Sequence, residues 1–165
     1  MREIVIDTET TGLDPLDGDR VVEIGEVELV NHSQTGQTFH RYLNPERDMP
    51  ADTVAVRRLT GAFLADKPLF AVVADEFLAF VGGAPLVAHN AGFDIAFLNA
   101  ELKGAAKPPI GAERVVDSLV LARRKHPAAI TRSTTCARAM ALIAPAARNT
   151  ARCSTPSCWP RSTST

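Results

Sequence analysis

The stretch Ile4-Val5-Ile6-Asp7-Thr8-Glu9-Thr10-Thr11-Gly12-Leu13 constrains the fold more than any other part of the chain. A β-branched apolar run ends in two carboxylates one residue apart, followed by a Thr-Thr-Gly turn. Residues i and i+2 of a strand project to one face, so Asp7 and Glu9 would stand side by side at the strand end. Adjacent carboxylates repel unless a cation or proton lies between them. An isolated Asp-x-Glu is usually a solvated turn. Here the acids close a strand too apolar for a surface, and an open cluster of oxygens suits Mg²⁺ or Mn²⁺.

The N-terminal half continues with a period of two. Arg20 to Val30 alternates, Asn31 to Gly36 reads as a turn, and Gln37 to Leu43 reads as a third strand that stops at Asn44-Pro45. Short connections imply an antiparallel meander. Pro50 is expected to open a helical turn and Thr60-Gly61 to break another. Leu69 to Val81 then sets Phe70, Val73, Phe77, Phe80 and Val81 at helical spacing and ends at Gly82-Gly83. Leu86-Val87-Ala88 reads as a short buried strand, and Phe93 to Leu102 as a helix with Phe93, Phe97 and Leu98 on one face. Val115-Val116 makes a last strand, and Ser118 to Arg124 a helix that Pro127 cannot continue. The order β-β-β-α-β-α-β-α predicts an α/β fold: a mixed sheet with an antiparallel three-strand meander, two α-linked strands and flanking helices.

At 165 residues, 45% apolar and 22% charged, the chain has the size and balance of one soluble domain. It contains no apolar run near the length of a membrane span and no basic-apolar-small leader, so a cytoplasmic protein with no membrane partner is expected. The net charge of −1 conceals a break. Residues 1–127 hold all 19 acids, whereas residues 128–165 hold five Arg, all three Cys and the single Trp, with no Asp, Glu, Lys or Gly. This divides the chain into a domain over 1–127 and a compositionally foreign, poorly ordered tail over 128–165.

A second chemical stretch is Val87-Ala88-His89-Asn90-Ala91-Gly92-Phe93-Asp94-Ile95-Ala96-Phe97-Leu98, which runs from strand through a small-residue turn into a helix. Asp94 falls in the first helical turn, where a carboxylate commonly complements the helix dipole. Together the two stretches resemble the proofreading exonuclease family typified by the epsilon subunit of bacterial DNA polymerase III, whose fold is ribonuclease H-like. The segments IVIDTETTGLDP, GDRVVEIGEVELVN, TGQTFHRYLNPERDMP, FLADKPLF, ADEFLAFV, LVAHNAGFDIAFLNAEL and VVDSLVLARRKHP carry the resemblance across nearly all of residues 2–127.

The resemblance implies a 3′→5′ exonuclease that edits DNA 3′ ends, single-stranded or frayed, in company with the polymerase III catalytic subunit and an accessory subunit. It implies four carboxylates holding two divalent ions, Mg²⁺ or Mn²⁺, and a histidine base. Asp7 would bridge the ions, Glu9 would bind one of them, and Asp94 would be the third carboxylate. Main-chain groups around Thr10 and Thr11 would meet the terminal nucleotide, with Asn90 and Phe93 lining the same cleft. Helical period alone also explains Phe93 as a core aromatic. Where family members commonly read Val-His-Gly-Leu-Thr, this chain has Val56-Arg57-Arg58-Leu59-Thr60, which either alters a nucleotide contact or is a solvated Arg pair. A stand-alone DNA or RNA 3′-end exonuclease and a non-catalytic remnant that binds a polymerase subunit are the alternatives.

The family's last motif, about forty residues beyond Asp117 by that resemblance, should supply the base and the fourth aspartate in a run such as KHGALLDAELLAEVY. Residues 128–165 contain neither His nor Asp, so the site is incomplete as written and activity is expected to be impaired. Neither His89 nor His126 occupies that motif's place. A codon argument explains the gap. Read one base earlier, the codons for Ala147 to Thr163 permit RTKHGALLDAELLAEVY, and those for Thr134 to Ala141 permit a family-like Asp-Asp-Leu-Cys-Ala-Arg-Tyr-Gly. Three triplets leave no choice: Met140-Ala141 forces Gly, Cys158-Trp159 forces Leu and Trp159-Pro160 forces Ala, each as the motif requires. A frame change between about Pro127 and Ser133 would replace the genuine C-terminus and would make Cys153 and Cys158 products of the wrong frame rather than a metal pair.

Overall fold

The computed structural model describes residues 1–49 and 59–125. The expectations for Pro50, for Arg57 and Arg58, and for everything from His126 onward lie outside the described residues. Strand β1 (Arg2–Thr10) is central and longer than its apolar run, because the alternation continues through the acids: Ile4, Ile6, Thr8 and Thr10 are buried on one face, while Glu3, Val5, Asp7 and Glu9 lie on the other. It pairs antiparallel with β2 (Val21–Val30), from Arg2 opposite Val30 to Glu9 opposite Glu23. On its other side it pairs parallel with β4 (Leu86–Ala88), Ile4 opposite Leu86 and Val5 opposite Val87.

Strand β3 (Ser33–Tyr42) begins four residues before the expected Gln37. Asn31 and His32 alone make the turn, with φ of 51° and 63°, the positive values that a two-residue hairpin of matching twist requires. Strand β5 (Val115–Asp117) pairs parallel with β4, giving the sheet order β3-β2-β1-β4-β5. The mixed sheet and its two α-linked strands thus agree with the fold class read from the sequence.

One expectation is reversed. Thr60-Gly61 does not break a helix but starts one, α1 (Gly61–Ala65), because the Thr60 hydroxyl accepts from the Phe63 N–H at 3.2 Å as an N-cap. Helix α2 (Phe70–Val81) buries Phe70, Val73, Ala74, Phe77 and Val81 and ends at Gly82 with φ +52°. The Arg2 guanidinium donates to the Val81 and Phe80 carbonyls at 2.9 and 2.5 Å, satisfying the exposed end of the helix. Helix α3 (Ala91–Gly104) packs beside α2 on the face of the sheet that carries Ile4, Ile6, Ile24 and Phe39. Phe39 meets Phe77 edge-on at 6.1 Å in the middle of this core. Helix α4 (Ser118–Lys125) follows β5 directly.

Candidate active site

Strand β1 outruns β4, and this difference in length builds the site. Beyond Val5 the strand loses its parallel neighbour, so the Thr8 N–H points where β4 would have continued. Helix α3 enters there. The Asp94 carboxylate accepts the Thr8 N–H at 3.0 Å and the Thr8 hydroxyl at 2.6 Å, both on Oδ1. Asp94 is only 4% exposed, and burial pushes its pKa up, against the pull of the Thr8 hydroxyl and N–H and the nearby His89. The acid in the first helical turn is therefore more than a helix-dipole complement: it ties α3 to the central strand at the residue between Asp7 and Glu9.

Asp7 is exposed and Glu9 half-buried, on the strand face opposite Thr8. Asp7 lies across from Gly25 and Glu9 across from Glu23. Like charges directly opposite are unfavourable, and Glu23 is engaged from the far side by His40 Nε2 at 2.7 Å. A register irregularity between Glu9 and Thr10 turns the chain out of the sheet just after the second acid. The loop that follows is braced internally. Thr10 Oγ1 donates to Gly12 O at 2.6 Å, the Thr11 N–H to Arg20 O at 2.9 Å, and Thr11 Oγ1 to Asp19 Oδ1 at 3.0 Å. Gly12 leaves room for the Asp19 carboxylate: a Cβ would come within 2.1 Å of Asp19 Oδ2 and push it from its loop partners. Burial pushes the Asp19 pKa up, but the Asp14 N–H, the Thr11 hydroxyl, Arg47 and the Leu13 N–H together hold it below its ordinary value.

Asn90 precedes α3 with φ +60°, and its N–H donates to Asp117 Oδ1 at 3.3 Å. The same oxygen accepts from Leu119 N at 2.8 Å and from Val120 N, so Asp117 caps α4 while fixing the turn before Asp94. Phe93 is half-buried and packs against the core, with its ring 4.9 Å from Phe97. His89 is exposed and reaches Ser118 Oγ at 3.4 Å.

The structure thus brings Asp7 and Glu9 onto one face of β1, seats Asp94 on Thr8 between them, and places Asn90 and Phe93 in the turn and first coil of the same helix. Among the described residues, no three His, Cys, Asp or Glu side chains converge closely enough to hold a metal ion by themselves. The donors are nonetheless of the right type. Hard divalent cations favour carboxylate oxygens, and Mg²⁺ is commonly held by one or two carboxylates with water and substrate phosphate oxygens completing the shell. Sequence reasoning passed over Thr8, Asp117 and Asp19. The signal for Thr8 was present, since alternation places it on the core face and a buried hydroxyl must find a partner.

The RNase T family model, described as Exonuclease, matches residues 4–144. The DNA polymerase III subunit epsilon of Rickettsia felis is 52% identical over 130 residues, covering 77% of this chain and 57% of that protein. The corresponding Escherichia coli subunit is 44% identical over 133 residues, covering 76% and 55%. The chain spans about half the length of the curated relatives it matches. Among solved structures, Exonuclease X in complex with 5′ overhanging duplex DNA superposes with a TM-score of 0.63 at 27% identity, covering 83% of this chain and 72% of that one. The zinc-bound Escherichia coli ExoI–ssDNA complex has a TM-score of 0.70 at 17% identity, covering 84% and 34%, a likeness of fold.

Proposed function

Because the chain belongs to the Exonuclease family, we propose that residues 1–127 form a 3′→5′ exonuclease domain that edits mismatched DNA ends as the epsilon-type subunit of a replicative DNA polymerase III. The observation that carries this reading is the seating of Asp94 on Thr8, which anchors the third acid to the strand residue that lies between Asp7 and Glu9 in sequence. The 52% identity to an epsilon subunit supports the polymerase association, and the likeness to a DNA-bound exonuclease supports DNA over RNA. The catalytic and accessory polymerase subunits are the proposed partners, and the cytoplasm the proposed location. Among the described residues, no helix is long and apolar enough to cross a membrane.

Asp7, Glu9 and Asp94 are the residues that would hold two Mg²⁺ or Mn²⁺ ions, whose charge would neutralise the scissile phosphate, acidify the attacking water and stabilise the leaving 3′-oxygen. Asp94 would use Oδ2, the oxygen not taken by Thr8. A neighbouring positive charge would offset the cost of ionising this buried acid. The Thr11 N–H and hydroxyl both have partners within the loop, so Thr10 and Thr11 would act chiefly by shaping one wall for the terminal nucleotide. Asn90 and Phe93 would form the opposite wall, the Phe93 ring offering a face to a base.

The family's histidine base and fourth aspartate have no counterpart in residues 128–165, and the proposed frame change would leave turnover in this chain slow. The test is digestion of a 3′-labelled single-stranded DNA by the purified chain. We expect slow, Mg²⁺-dependent shortening from the 3′ end that chelation and Asp7→Ala abolish. A rate unaffected by both would sink the assignment.

A further inference from the structure

We propose that the Arg20–Glu101 ion pair is a positioning device for the nucleotide site: it fixes the Thr10–Asp19 loop against helix α3 and so sets the spacing of the two cleft walls. This rests on the exonuclease reading and extends it to two residues outside the carboxylate set. Glu101 is seven residues beyond Asp94, two helical turns along, and is buried on the same stripe of α3. Its Oε1 accepts Arg20 Nε at 2.8 Å and the Val21 N–H at 3.1 Å, and its Oε2 accepts Arg20 Nη2 at 2.9 Å. This is the bidentate fork that arginine forms with a carboxylate, and a lysine point charge cannot reproduce it.

The pair grips the loop at its base. Arg20 O accepts the Thr11 N–H at 2.9 Å, and the Arg20 N–H donates to Thr11 Oγ1 at 3.0 Å, whose hydroxyl in turn donates to Asp19 Oδ1. Asp19 in turn accepts the Asp14 N–H at 3.2 Å and pairs with Arg47 at 3.0 Å. An unbroken series of hydrogen bonds therefore runs from the last turn of α3, through Arg20 and Thr11, to the loop that displays Leu13 and Leu16, 85% and 92% exposed. The helix holds the sheet at two points, Asp94 on Thr8 and Glu101 on Arg20 and Val21. The first sets where the third carboxylate stands. The second sets where the loop stands relative to it, and shifts of about 1 Å in such walls are enough to weaken binding or catalysis substantially.

A purely structural role would make the same contacts, so the test separates position from stability. Glu101→Gln, Arg20→Lys and the paired Arg20→Met/Glu101→Met are made in the full chain. Melting temperature is measured together with binding of a fluorescent single-stranded DNA bearing a free 3′-hydroxyl, in Ca²⁺ to suppress cleavage. The single variants should melt lower and bind roughly tenfold or more weakly. The double variant leaves no buried unpaired charge, although it strands the Val21 N–H, and should recover part of the melting temperature lost by the single variants while binding stays weak. Binding that recovers along with melting, or that no variant changes, overturns the positioning role. A wild-type chain that does not bind the 3′-ended DNA overturns the exonuclease reading itself, an outcome distinct from wild-type binding that ignores these substitutions.

Discussion

Glu26→Leu should stabilise the protein by about 3 kcal/mol at pH 7 and remove the loss of stability that this one carboxyl causes between acid and weakly alkaline pH. Glu26 stands on β2 opposite Ile6 of β1 and Phe39 of β3, is 0% exposed, and among the described residues neither carboxylate oxygen has a hydrogen-bond partner. Burial drives its pKa from 4.5 to about 8, only weakly opposed by Arg2. Below pH 4.5 the carboxyl is neutral whether the chain is folded or not, and it carries no titration cost. From there to about pH 8 the unfolded chain ionises while the folded chain stays protonated, so folding loses about 1.4 kcal/mol per pH unit. The roughly 2.5 pH units up to neutrality give the figure of about 3 kcal/mol, and the loss levels off near 5 kcal/mol above pH 8. The assay is urea unfolding of the wild type, Glu26→Leu and Glu26→Gln at pH 4.5, 7 and 8.5. Both variants should lose this component of the pH slope, and Glu26→Leu should raise the pH 7 melting temperature by about 6–12 °C. A Glu26→Gln variant that keeps the wild-type slope would show that the carboxyl is not held neutral and would refute the reasoning.

Three further outcomes are expected. Asp94→Ala should lose activity and about 2–3 kcal/mol of stability, because it strands the buried Thr8 N–H and hydroxyl, while Asp7→Ala should lose activity with little change in the urea midpoint because Asp7 is exposed. Gly12→Ala should cost about 1–3 kcal/mol by forcing Asp19 away from the loop, read as a lower melting temperature and faster amide exchange at Thr11. Resequencing the DNA that encodes Pro127 to Ser133 should uncover the frame change. Restoring the upstream frame should raise the exonuclease rate by about 10²–10⁴-fold, and restored DNA that encodes no His and Asp motif would eliminate the explanation.

Burial of the acids was the least legible part of the chain. Helical period singled out Phe97 and Leu98, yet the stripe of α3 that faces the sheet also carries Asp94 and Glu101. A pattern that assigns acids to solvent misplaces both, because their partners, Thr8 and Arg20, are 86 and 81 residues away in sequence. The same limit applies to Glu26, whose neighbours in sequence mark a polar strand face and whose neighbours in space are Ile6 and Phe39. Thr60 shows the local version: its cap on Phe63 turns an apparent helix breaker into a helix start.

By itself the sequence determined the order of elements, the mixed sheet and the pairing of Asp7 with Glu9, because strand alternation and apolar period are properties of adjacent residues. Where the third acid stands was decided only by tertiary structure. Strand β4 ends early and leaves the Thr8 N–H without a strand partner, and α3 arrives at that gap with Asp94 in its first turn. A buried carboxylate is tolerated only where donors await it, and those donors exist only once the sheet has formed.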